Sequence, residues 1–248
     1  MYSYKCITTY NGTRYNGWQK QGNTSNTVQG KLEYTISKML DETIEISGSG
    51  RTDAGVHALN QVFNFNCSQK LPDSFLDDLN GFLPKDIRIL SCDVCSERFH
   101  ARLNAKEKVY QYRIDTSEYG NPFIRDTSHH VPEDLNITAM KKGASYLIGT
   151  HDFKSFCSNK RMKKSSVRTI YDISFENLEH DKQLYITFRG NGFLYNMVRI
   201  MVGTLIEIGL GIRTPETIVE ALDNPDRSLA GHTAPAKGLF LVDVIYST

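Results

Sequence analysis

Ile44-Glu-Ile-Ser-Gly-Ser-Gly-Arg-Thr-Asp-Ala-Gly-Val-His57 runs directly into Ala58-Leu-Asn-Gln-Val-Phe-Asn-Phe-Asn-Cys67. Ile44-Glu-Ile46 reads as a short strand. Phe63, Phe65 and Cys67 alternate with asparagines, the signature of a half-buried strand. Between them lie Gly48, Gly50 and Gly55, a density that permits φ > 0 and close approach of a ligand to the backbone. The G-K-[ST] ending of a phosphate-binding P-loop is absent. The loop projects Arg51 and Asp53, and two readings stand side by side. It is either a β-turn whose Asp caps backbone amides beside a solvated Arg, or a site loop carried on rigid strands.

Working outward, Thr27 is placed to N-cap a helix with Val28, Leu32, Ile36 and Met39 on one face. Phe75, Leu79, Phe82 and Leu83 repeat at helical spacing until Pro84, and Ile87–Val94 reads as a strand. A second batch begins near Asn104. Tyr110, Tyr112 and Ile114 share one strand face, with Gln111 and Arg113 on the other. Ile137, Met140, Ala144, Leu147 and Ile148 form a helical stripe ended by Gly149. Strands follow at Ile170–Phe175 and Leu184–Phe188, then a long helix over Leu194–Ile208. Thr214-Pro215-Glu216 opens another helix, and Leu239–Tyr246 is a last strand. This predicts α+β layers with helices on a sheet face, in two halves, 1–103 and 104–248, that meet in a cleft.

The 248 residues are 40% apolar and 23% charged, which excludes wholesale disorder. No apolar run reaches the ~20 residues of a membrane span. Phe193–Leu210 comes nearest but contains Asn196, Arg199 and Glu207, so it reads as a buried helix. Met1–Cys6 lacks the apolar core of a signal peptide, which predicts a cytoplasmic protein. The 5 cysteines, an odd number, argue against a disulfide framework. Cys92 and Cys95 make one C-x-x-C inside a strand pattern, without the second pair of ligands that a structural zinc needs. Adjacent His129 and His130 show no metal spacing either, so no metal site is expected.

Net charge is +1, from 29 basic and 28 acidic residues, so bulk charge does not announce a nucleic-acid partner. Clustering is more informative. Tyr110 is flanked by Lys106, Lys108 and Arg113, with Arg98 and Arg102 upstream. A second run holds Lys160, Arg161, Lys163, Lys164 and Arg168. Charge runs are ordinarily solvated surface, but two of them on a near-neutral chain favour one basic, RNA-facing side. Arg199 stands out too. On a helix its neighbours are Tyr195, Val202, Gly203 and Ile206, with no acid within a turn. Either the side chain snorkels to the surface, or it is buried and takes an anionic partner from elsewhere, for which Asp53 is a candidate.

Gly50-Arg-Thr-Asp-Ala-Gly-Val-His57 resembles the catalytic loop of the tRNA pseudouridine synthase A family. The resemblance extends over essentially the whole chain and in order. It includes Tyr10-Asn-Gly-Thr-Arg-Tyr-Asn-Gly-Trp-Gln19, Phe99-His-Ala-Arg102, Lys108-Val-Tyr-Gln-Tyr112, Gly149-Thr-His-Asp-Phe153, Gly192–Gly203 and Gly238–Tyr246. The resemblance implies two ferredoxin-like halves sharing a central, mostly antiparallel sheet, with helices packed on it and a deep RNA-binding cleft. It implies a homodimer that isomerises uridine to pseudouridine at nucleotides 38, 39 and 40 of the tRNA anticodon stem-loop, without cofactor or metal. Asp53 matches the nucleophile, Tyr110 the tyrosine against the target base, and Arg199 the arginine that pairs with the catalytic carboxylate. Arg51, His57, Arg102, Lys163, Lys164 and Arg168 are the expected substrate contacts.

The chemistry is consistent with those residue types. A C1′–N1 bond breaks and a C1′–C5 bond forms. One carboxylate can attack C1′, take a proton at C2′ or add to the base, and residue type does not choose among them. The freed uracil must turn inside a closed pocket, and a base must remove H5. The competing class is an RNA-binding protein that keeps the cleft without the chemistry. A retaining glycosidase is more distant, because it needs two carboxylates ~5 Å apart and the loop offers one.

Overall fold

The computed structural model describes residues 1–22, 24–159 and 164–247. In chain order these form β1 (Tyr2–Tyr10), α1 (Val28–Leu40), β2 (Ser47–Gly48), β3 (His57–Cys67), α2 (Phe75–Phe82), β4 (Ile87–Val94), β5 (Ala105–Asp115), β6 (His129–His130), α3 (Ile137–Leu147), β7 (Gly149–Asp152), β8 (Val167–Leu178), β9 (Gln183–Gly190), α4 (Met197–Gly209), α5 (Thr217–Asp223) and β10 (Leu239–Tyr246). The chain is α+β and makes two compact units. Residues 1–106 form the first together with the chain from Phe240 onward, and Glu107–Leu239 form the second. The last strand thus belongs to the first unit, although it follows the second in sequence.

In the first unit β1 is antiparallel to both β3 and β4. Its alternate residues Tyr4, Cys6, Thr8 and Tyr10 are buried, as the two-residue period of a strand requires. β10 runs parallel to β3 through Phe240↔His57 and Leu241↔Ala58. Trp18, 1% exposed, packs its ring against Tyr10 and Phe63. Thr27 Oγ1 accepts the Gly30 amide at 3.1 Å and caps α1. Such a cap contributes about 1 kcal/mol. The buried stripe of α1 is Val28, Leu32, Ile36 and Leu40, with Met39 at its margin.

Two expectations fail here for visible reasons. Ile44–Ile46 is not a strand, because side chains of α1 take its amides. Ile44 N donates to Ser37 Oγ at 2.9 Å and Ile46 N to Glu33 Oε1 at 3.1 Å. Strand pairing starts only at Ser47, opposite Asn64. Phe82 is 72% exposed, since α2 turns only Phe75 and Leu79 inward.

In the second unit β5 pairs antiparallel with β9 from Lys108↔Gly190 to Asp115↔Gln183. β9 pairs with β8 and β8 with β7, both antiparallel. Tyr110, Tyr112 and Ile114 are buried on one face of β5. β8 and β9 both outrun their expected ends. Ile148 lies outside α3 and is exposed, whereas Gly143 joins the buried face. α4 starts at Met197 and not at Leu194, because Asn196 sits in the left-handed region at φ 60°. α5 begins at Thr217, whose amide and hydroxyl both reach back to the Thr214 carbonyl.

Candidate active site

The Asp53 loop closes as a turn in which Val56 N donates to Asp53 O at 3.1 Å. Of its three glycines only Gly55 takes positive φ, +79°, a conformation that a side chain would strain. The segment after β1 cradles this turn. Trp18 N donates to Thr52 O at 3.0 Å and Gly55 N to Tyr15 O at 3.3 Å. Thr52 is buried, and its Oγ1 shares a 2.8 Å hydrogen bond with the Tyr10 hydroxyl. The Tyr15 hydroxyl donates to Asp86 Oδ1 at 2.5 Å; burial and that carboxylate push its phenol up. On the other flank Gln61 Nε2 donates to Gly50 O at 3.1 Å, and the Ser49 hydroxyl donates to Gln61 Oε1. Loop backbone fixed from both sides holds Asp53 half-buried in one geometry.

His57 is 1% exposed. Its Nδ1 accepts the Gly12 amide at 3.0 Å, and its ring stacks on Phe240 at 4.6 Å. It therefore lies beneath the loop, in a place to position it. Arg51 is exposed, with Nε donating to Gln19 Oε1 at 3.0 Å. Arg102 is exposed beyond β4.

In the second unit Tyr110 is 8% exposed and meets Phe193 edge-on, ring centroids 5.2 Å apart. Its strand-mate Tyr112 is fully buried and donates its hydroxyl to Pro235 O at 2.8 Å; burial pushes that phenol up. Arg199 is half-buried on α4. Its Nε donates to Ala234 O at 2.7 Å and its Nη1 to Asn196 Oδ1 at 3.0 Å. Tyr195, expected as a helical neighbour, precedes the helix and is 56% exposed. At Gly203 the chain comes close: a Cβ there would collide with the His232 carbonyl.

Sequence reading missed the segment Gly231–Pro235. It has no regular element and no hydrophobic period, yet it lies along α4 and takes up Arg199. Lys164 is exposed. Arg168 is half-buried, with Nη1 on the carbonyls of Ser165 and Val167 at 2.9 and 2.6 Å. Lys163 lies outside the described residues, as do Lys160 and Arg161. Cys92 faces Cys6 across β1 and β4, with Sγ atoms 3.1 Å apart. Among the described residues, no group of three or more His, Cys, Asp or Glu side chains is arranged to hold a metal ion. Nor is any described helix long and apolar enough to cross a membrane.

Comparison with known proteins gives this arrangement its class. A family model described as tRNA pseudouridine synthase matches residues 6–104 and 144–247. The chain is 47% identical over 245 residues to tRNA pseudouridine synthase A 2 of Bacillus cereus (strain ZK / E33L), covering 98% of this chain and 99% of that protein. It is 46% identical over 249 residues to tRNA pseudouridine synthase A of Bacillus sp. (strain KSM-64), covering 99% and 100%. It is 44% identical over 247 residues to tRNA pseudouridine synthase A of Acetivibrio thermocellus, covering 99% and 100%. The chain belongs to the tRNA pseudouridine synthase family, a class of isomerases.

Proposed function

We propose that this enzyme converts uridine to pseudouridine at positions 38, 39 and 40 of the tRNA anticodon stem-loop, in the cytoplasm and as a homodimer. The observation that carries this reading is the Arg51-Thr52-Asp53 turn, clamped by Trp18, Tyr15 and Gln61, in a chain whose relatives match it over 98–99% of its length. A carboxylate on a fixed turn can meet one reacting carbon without first being ordered.

Asp53 supplies the carboxylate that engages the nucleotide. Scission of C1′–N1 leaves the bonding pair on N1 and frees the uracil, which turns until C5 faces C1′; the new C1′–C5 bond then forms, H5 leaves as a proton and N1 takes one up. The overall change conserves every atom and every electron, so it calls for no cofactor. Tyr110, held by Phe193, offers an aromatic face to the flipped-out base. Arg199 serves as the cationic partner of the reacting carboxylate. His57, buried with Gly12 and Phe240, sets the loop from below. Arg51, Arg102, Lys163, Lys164 and Arg168 contact phosphates, which orient the stem without reading its sequence.

The test is to incubate the protein with unmodified tRNA transcripts and map pseudouridine by carbodiimide adduct formation and reverse-transcription stops. Stops at 38, 39 and 40 are expected. Binding without any stop would show an RNA-binding protein, and stops confined to other positions would refute the site assignment.

A further inference from the structure

We propose that Glu207 is a positioning residue for the isomerisation: it fastens residues 231–234 along α4, and that segment in turn fixes the guanidinium of Arg199. This rests on the reading above that Arg199 serves the reaction.

Glu207 and Arg199 share α4 but lie about two turns apart, ~12 Å along the axis at ~1.5 Å per residue. Glu207 therefore acts through an intermediary, and the intermediary is visible. Glu207 Oε1 accepts the His232 amide at 2.8 Å and the His232 Nδ1–H at 2.8 Å. Its Oε2 takes Arg213 Nε. One turn back, Gly231 N donates to Thr204 Oγ1 at 2.9 Å. Gly203 leaves room for the His232 carbonyl. One turn further, Ala234 N donates to Arg199 O at 3.1 Å and Ala234 O accepts Arg199 Nε at 2.7 Å. The segment is thus an extended strap whose polar backbone groups are tied to one helix at three successive turns.

The cation Arg227 also holds this strap, donating to Gly231 O at 2.9 Å and to Thr233 Oγ1 at 3.2 Å. Glu207 is its anionic fastening. Burial alone would raise its pKa, but the His232 amide, Arg213 and the His232 ring together hold it below the usual carboxylate range. It stays ionised through neutral pH, and hydrogen bonds to an ionised acceptor are stronger than neutral ones. The strap has no element of its own, so releasing His232 leaves it to the ties at Thr204, Arg227 and Tyr112 and loosens the placement of Ala234 and of the Arg199 fork between them. A shift of about 1 Å in a positioned group is enough to slow a reaction strongly without altering how substrate binds.

The test compares Glu207→Gln and Glu207→Ala with Leu147→Ala, a buried change on α3. Single-turnover tritium release from 5-tritiated uridine tRNA is measured at saturating enzyme. The tRNA dissociation constant and thermal midpoint are measured in parallel. Glu207→Gln preserves shape, and it supplies the reading should Glu207→Ala not fold. Expected is a rate at least fivefold below that of Leu147→Ala, with tRNA affinity within twofold of wild type, whatever the order of the thermal midpoints. A smaller difference in rate, or a rate loss explained by weakened tRNA binding, overturns the proposal. Arg199→Ala separates the two layers. If it keeps its rate within twofold of wild type, the role of Arg199 fails and the strap's role with it. If it loses its rate while Glu207→Gln follows Leu147→Ala, the strap alone fails.

Discussion

Arg199 and Ala234 hold each other twice: the Arg199 guanidinium donates to the Ala234 carbonyl at 2.7 Å, and the Ala234 amide donates to the Arg199 carbonyl at 3.1 Å. A lysine cannot keep this geometry, because an ammonium is a point charge and lacks the planar fork that also reaches Asn196. Arg199→Lys should lower the single-turnover rate at least tenfold. Losing hydrogen bonds from a charged group should also cost roughly 1.5–3 kcal/mol of stability. Tritium release and urea unfolding on the same preparation check both.

Thr52 locks the Asp53 turn from inside the fold. Thr52→Val keeps the shape and removes the hydroxyl that meets Tyr10 at 2.8 Å in a buried setting. Taking one partner from a buried hydroxyl should destabilise by about 1–3 kcal/mol. The loosened turn should lower kcat while tRNA affinity holds. Urea midpoints and saturation kinetics report the two effects separately.

Much of this architecture is written locally. The Thr27 cap and the Val28, Leu32, Ile36 stripe are short-range patterns, and α1 follows them. The crowding of Gly, Arg and Asp after Ser47 reads as a tight turn, and Gly55 at φ +79° with Val56 on the Asp53 carbonyl is that turn. What does not read from the sequence depends on distant partners. Ile44–Ile46 has strand composition, but Glu33 and Ser37 capture its amides. Leu239–Tyr246 announces a strand without announcing that it will lie parallel to β3 and cover His57. The strap at Gly231–Pro235 has no periodicity, because its backbone is satisfied by α4, by Arg227 and by Tyr112.

His129 should make stability depend on pH. Burial, and after it the nearby His232, Lys237 and His130, lower its pKa to about 4, with Glu133 opposing. The unfolded chain takes up its proton near the ordinary ~6.5. Between those values the unfolded state binds more protons than the folded one, so stability falls as pH drops from about 6.5 towards 4 and is flat above. His129→Asn should remove that part of the slope. Urea midpoints between pH 7 and 4.5 test it, and an unchanged slope in the variant would assign the loss to other groups.

Phosphate binding should appear as salt dependence. Replacing Lys163 and Lys164 with alanine should weaken all tRNAs by similar factors and leave the rate at saturation within twofold of wild type. The slope of log affinity against log salt should flatten by ~0.7–0.9 for each phosphate that is no longer neutralised. An unchanged slope would mean that these lysines are ordinary solvated surface.

The decisive comparison is tritium release by Asp53→Asn beside wild type, under single turnover and with tRNA binding measured on the same samples. The amide keeps the size and most of the hydrogen bonding of the carboxylate but removes its charge and nucleophilicity. Expected is loss of isomerisation to background with a tRNA dissociation constant within threefold of wild type. A rate within tenfold of wild type would contradict the assignment of Asp53 as the group that does the chemistry.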